Sequence, residues 1–178
     1  MILRSAQTIC FTIYTLARRN NGEFGAEDIK LEIMNWKENL LGSDAEIKGL
    51  LQNTKTIAVL GIKMESHQPA YYVPQYMQNA GFKIVPVPVY YPEATEIMGE
   101  KVYRNLIDIP AEIDLVNIFR RSPDVAKHTD DILAKKPKAV WMQSGIYNDA
   151  VAETLAKAGI KVVQNLCLMV EHRALRLT

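Results

Sequence analysis

The sequence predicts a three-layer α/β protein on a doubly wound, Rossmann-like sheet of about five parallel strands. Two observations carry the prediction. Short apolar runs rich in Val and Ile alternate with helical stretches of ten to fifteen residues from position 43 onward. The runs are also nearly continuous in apolar character, as strands covered on both faces must be. Right-handed crossovers then leave the doubly wound topology as the simplest arrangement.

The elements follow in order. Ser43-Asp44-Ala45-Glu46 is a capping box that opens a short helix to about Gln52. Thr56–Leu60 is a β-branched run ending at Gly61. A helix follows over about Tyr71–Ala80, its start placed near Tyr71 because Pro74 tolerates only the early turns. Lys83–Val89 is a second strand, and its two prolines withdraw ladder donors and push it toward an edge. Residues 90–111 read as loop with one helical turn near Asn105–Asp108. Ile113–Phe119 is the third strand, and Ser122-Pro123-Asp124 opens a helix with Ser122 as its cap. Lys138–Gln143, a helix from Asn148-Asp149 to Gly159, the strand Ile160–Val163 and a helix from Leu168 to about Leu175 complete the series.

Residues 1–42 form an N-terminal arm, and 43–178 one domain. The arm's first 22 residues carry Arg4, Arg18 and Arg19, several hydroxyls and no acid, the composition of an organellar transit segment. A plain terminal arm or an extension upstream of Met34 explains it equally well. Lys plus Arg is 21 against 20 acids, a net charge of +1 that disfavours wrapping nucleic acid or lying on anionic lipid. No apolar run reaches the ~18 residues of a membrane span. Cys10 and Cys167 fit neither a disulfide framework nor a zinc knuckle. The expected compartment is therefore cytoplasmic, or mitochondrial if residues 1–33 are a transit segment.

A ligand of such a sheet sits beyond the carboxyl ends of the strands. The first loop there, from Gly61-Ile62-Lys63 through Ser66-His67 to Pro69, is neither GxGxxG nor a P-loop. Even so, it joins a turn-permitting glycine to a hydroxyl and a helix start. The second, around Pro88-Val89, lacks the acid that holds an NAD ribose, leaving a cofactor with an extra ribose phosphate: NADP or coenzyme A. The third, Phe119-Arg120-Arg121, offers an aromatic face and two guanidiniums. The fourth, Gln143-Ser144-Gly145, offers a polar floor or merely a turn and helix cap.

Taken together, TIAVLG (56–61), PAYYVPQYM (69–77), AGFKIVPV (80–87), GEKVYRNL (99–106), IDLVNIFR (113–120), VWMQSGI (140–146) and AGIKVVQNLCLMVEHRAL (158–175) resemble the stand-alone CoA-binding protein family. That family is related in fold to the CoA-binding domain of the succinyl-CoA synthetase alpha subunit. The resemblance implies coenzyme A or an acyl-CoA as ligand. It also implies that Gly61–Ser66 cradle the diphosphate, Pro88 and Val89 border the ribose, and Phe119 and Arg120 lie beside the adenine. The chain departs from the family at Pro88-Val89, where Asn-Pro is common, and at Gln68, where Arg is frequent. Lys63 or Arg121 must then supply the charge.

No catalytic residue and no metal ligand is assigned. Cys167, Glu171 and His172 are the only compact reactive set. They serve thiol chemistry, a metal, or plain helix packing. His67 lies in the first loop and His128 stands alone. The expected function is binding of coenzyme A or acyl-CoA without catalysis, with a small NADP-dependent oxidoreductase as the alternative. Tyr71, Tyr72 and Tyr76 would suit a homodimer face.

Overall fold

The computed structural model describes residues 36–176. The transit-type segment and Cys10 lie outside the described residues. A 3-10 turn, Trp36–Asn39, precedes the first helix. Residues 40–41 run beside the last strand, with Leu40 bridging Val162 and the Leu41 amide donating to the Val162 carbonyl at 2.8 Å.

The capping box forms as the sequence dictates. Ser43 caps α1 (Asp44–Gln52), its hydroxyl accepting from the Glu46 amide while Glu46 returns the bond to the Ser43 amide at 2.9 Å. β1 is Thr56–Leu60, α2 Pro69–Asn79 and β2 Lys83–Val87. A two-stranded hairpin follows, β3 (Glu96–Ile97) and β4 (Glu100–Lys101), within the stretch expected to be loop. β5 is Leu115–Ile118, α3 Ser122–Val125 and α4 Thr129–Lys135. β6 (Ala139–Met142), α5 (Asp149–Lys157), β7 (Lys161–Val163) and α6 (Leu168–Ala174) close the chain.

The five long strands are all parallel, in the order β2-β1-β5-β6-β7. This is the Rossmann-like, doubly wound sheet the sequence predicts, with the proline-bearing β2 at an edge. Alternation along β1 sorts its side chains into two layers. Ile57 and Val59 pack with Ile47, Leu51, Val73, Met77 and Leu168 of α1, α2 and α6. Ala58 and Leu60 pack with Val125, Ile132, Val151 and Leu155 of α3, α4 and α5. Every one of these side chains is at least nine-tenths buried. At roughly 1.5–3 kcal/mol for each of the Val, Leu, Ile and Met side chains, their burial is what holds helices of only four to eleven residues in place.

Two further local expectations are corrected. α2 begins at Pro69, two residues before Tyr71, although Pro74 then falls inside it. Pro74 has no amide for the Ala70 carbonyl, and the Lys63 amide takes that place at 3.2 Å. A tertiary bond thus repairs the local defect and ties the first loop to α2. Ser122 is a helical residue and Arg121 is the cap. The Ser122 hydroxyl instead accepts from the Tyr147 amide at 3.1 Å, joining the third and fourth loops.

Candidate functional site

The strand order changes direction at β1, which leads outward to β2 while the rest of the sheet continues on its other side through β5. The carboxyl ends of β1 and β5 therefore face a crevice. Gly61 sits at its mouth with φ +87°, its amide donating to the Val87 carbonyl at 2.8 Å. A Cβ built there would collide with the Phe119 carbonyl oxygen and crowd the Arg120 side chain. Only glycine lets the two strand ends approach so closely.

Beside it opens a cleft of about 510 Å³, lined by Leu60, residues 88–92, Arg104, Asn105, His128 and Asp131. Next to it, with its guanidinium 5.9 Å from the ring centre of the lining residue Tyr90, is Arg120. That side chain is 12% exposed, and its Nε is buried with no hydrogen-bond partner. The nearest carboxylate, Asp124, is 3.9 Å away and already receives Arg121 Nε at 2.8 Å and Lys127 Nζ at 2.7 Å. The Lys127 and Arg121 bonds hold the Asp124 carboxyl at about 2. Burial, reinforced by the Arg120 charge, lowers the His128 pKa and favours its neutral form. The Asp131 carboxylate is spent on the amides of Leu106 and Ile107, at 2.8 and 3.1 Å.

The predicted site residues divide into two groups. Pro88 and Val89 line the cleft, Gly61, Phe119 and Arg120 meet at the β1 and β5 tips, and Lys63 and Arg120 lie near the ring of the lining residue Tyr90. Ser66 and His67 are exposed on the first loop. Ile62 puts its side chain wholly into the core, leaving its backbone for a ligand. Arg121 is 87% exposed and committed to Asp124. Gln143 is buried, donating to Asn117 Oδ1 at 2.8 Å and accepting from the Leu168 amide. The Gly145 amide donates to Asn165 Oδ1 at 2.7 Å. Gln143 thus links β5, β6 and α6.

Cys167, Glu171 and His172 lie at the start and along the length of α6. Cys167 caps the helix, and His172 is buried with its Nδ1 3.0 Å from the Tyr76 hydroxyl, between the rings of Tyr76 and Phe82. Tyr76 is thereby used inside the protein, and of the three tyrosines Tyr72 is the exposed one. Among the described residues, no three His, Cys, Asp or Glu side chains gather as a metal site, and no helix is long and apolar enough to cross a membrane.

Sequence reasoning missed Tyr90, Tyr91, Arg104 and the cleft position of His128. The only signal was the aromatic pair Tyr90-Tyr91 directly after the β2 prolines. The Lys63 ammonium lies 3.8 Å from the Tyr90 ring centre and the Arg120 guanidinium 5.9 Å from it. The Tyr91 hydroxyl donates to Glu65 at 2.7 Å, and Arg104 donates to the carbonyls of Tyr91, Pro92 and Ala94.

Fold and cleft define the class: a Rossmann-like α/β protein with its crevice at the switch point of a parallel sheet. The chain belongs to the family described as the CoA binding domain, which matches residues 55–173. It is 35% identical over 130 residues to the uncharacterized protein YneT of Bacillus subtilis, covering 73% of this chain and 94% of that one. It is likewise similar to a solved structure from Thermus thermophilus, "cell-free ID.343". There the identity is 38% and the TM-score 0.70, over 75% of this chain and 99% of the other. A hypothetical protein from Pyrococcus horikoshii is 30% identical with a TM-score of 0.71, over 76% and 93% of the two chains.

Proposed function

We propose that the cleft binds coenzyme A, free or as an acyl-CoA, and that the protein acts through binding and not through a reaction of its own. The observation that carries this reading is Arg120: a nearly buried cation beside the Gly61 turn, its Nε unpartnered and its 3.9 Å ion pair with Asp124 shared with Arg121 and Lys127. Burying a guanidinium that is only loosely paired is costly, and an anionic ligand offsets that cost. Membership of the CoA binding domain family supports coenzyme A as that anion.

In this reading the backbone of residues 61–66 and the Lys63 ammonium meet the diphosphate. Pro88 and Val89 border the ribose, and Phe119 with Arg120 holds the adenine end. Gln143 and Gly145 act from behind, fixing the fourth loop through Asn117, Leu168 and Asn165. His172, the buried member of the Cys167–Glu171–His172 set, is engaged by Tyr76, which supports a role without catalysis.

The test is thermal unfolding with CoA, acetyl-CoA, NADP and NAD. A ligand at a hundred times its dissociation constant adds ~2.7 kcal/mol, which for a chain of this size raises Tm by roughly 5–10 °C. The expected result is a rise with CoA or acetyl-CoA. A rise with NADP alone would replace this reading with the oxidoreductase one.

A further inference from the structure

Lys63 and Arg120, the cations beside the cleft, meet the chain's own strap, residues 88–92, at Tyr90. The Tyr90 ring, 53% exposed, rests on the Lys63 ammonium and within reach of the Arg120 guanidinium. Its neighbour Tyr91 crosses to the first loop and donates to the Glu65 carboxylate, with both oxygens within 2.8 Å. The Tyr91 bond and the backbone amides of Glu65 and Met64 keep that carboxyl below its ordinary range. An acid side chain therefore stands beside amides of the very loop suited to a phosphate.

The backbone adds a third sign. Tyr91 has φ +62°, a left-handed conformation that is unfavourable for a bulky aromatic. Such strain persists where the surroundings impose it, and it collects at clamps and switches. Arg104, bonded to three carbonyls between Tyr91 and Ala94, anchors the far half of the strap and leaves Tyr90 at its free side.

We propose that the Tyr90–Tyr91 strap is an internal competitor for the anion site: Tyr90 holds the Lys63 and Arg120 cations, Tyr91 pins Glu65 beside the loop amides, and an anionic ligand enters as the strap swings aside. This rests on the reading of the cleft as a coenzyme A site. The strap sets affinity and entry rate, because a ligand must first displace contacts the protein makes with itself.

The experiment is calorimetric and stopped-flow titration of wild type, Tyr90→Ala, Tyr90→Phe and Glu65→Gln with CoA and, separately, with inorganic pyrophosphate. The expected result is that Tyr90→Ala and Glu65→Gln each bind on the order of fivefold more tightly, through faster association. Tyr90→Phe, which keeps the ring, stays at the wild-type value. Failure of either Tyr90→Ala or Glu65→Gln to gain affinity overturns the proposal, and weaker binding by Tyr90→Ala makes the ring part of the bound site. If no variant binds CoA, the coenzyme reading fails and pyrophosphate judges the strap alone. A gain for both variants there upholds competition for a different anion, and equal affinities overturn it.

Discussion

The two ends of the sheet solve the same problem differently. At the amino end a groove of about 380 Å³ holds Asp114 and Lys138, paired at 2.6 Å. The Asp114 carboxylate also accepts from the Lys55 and Thr56 amides, at 2.9 and 3.0 Å. Partners surround every oxygen, and although burial pushes the Asp114 pKa up, these bonds outweigh it and the net shift is downward. At the carboxyl end, beside the cleft of about 510 Å³, Arg120 has an orphaned Nε and shares its carboxylate with two other cations. One end is closed electrostatically and works for stability. The other keeps a cation in reserve, and a cleft's unspent hydrogen bonds, more than its size, set the two apart.

The largest effect expected to break this comparison is at the crevice itself. Gly61→Val drives a side chain against the Phe119 carbonyl and a β-branched residue into positive φ. A loss of about 3 kcal/mol in urea unfolding and no measurable CoA binding are expected. Next, Arg120→Ala weakens CoA binding at least about tenfold by calorimetry, while costing only about 1 kcal/mol of stability through lost packing. Unchanged affinity would remove Arg120 from the site. The mirror experiment, Asp114→Ala, costs about 1–2 kcal/mol by stranding two amides and leaves CoA affinity as it was.

The smallest effect is in acid. The Asp124 carboxyl is lowered from 3.8 to about 2 by Lys127 and Arg121. A lowered folded pKa gives stability that is complete above the unfolded value and is lost as pH falls from about 4 toward 2. Asp124→Asn is therefore expected to flatten the acid limb of the Tm–pH curve in that window, with little change in slope above pH 5. An unaltered acid limb would show that these exposed partners contribute nothing to it.

Much of this was legible in the sequence, and the exceptions share a cause. Strands of Val and Ile, the Ser43–Glu46 box and the Asn148 cap declare themselves through neighbours a few residues away. Gly61, at the end of the first such strand, marked the crevice in the same way. The start of α2 was misjudged because Pro74 is repaired by Lys63, a partner that only the folded chain supplies. Ser122 was misjudged because Tyr147 claims its hydroxyl across 25 residues. The small β3–β4 hairpin has strands of two residues, too short for any alternation to register. Tyr90, Arg104 and His128 reach the cleft from segments 14 to 24 residues apart in sequence, and a histidine flanked by Lys127 and Thr129 carries no local mark of burial.

The central claim is that the carboxyl edge of the sheet takes the ligand, and amide chemical-shift mapping during a CoA titration tests it most directly. Perturbations are expected to concentrate at residues 61–66, Val89, Tyr90 and 119–121, with Lys55, Asp114 and Lys138 undisturbed. Shifts clustered at Asp114 and Lys138, or none at saturating CoA, would contradict it.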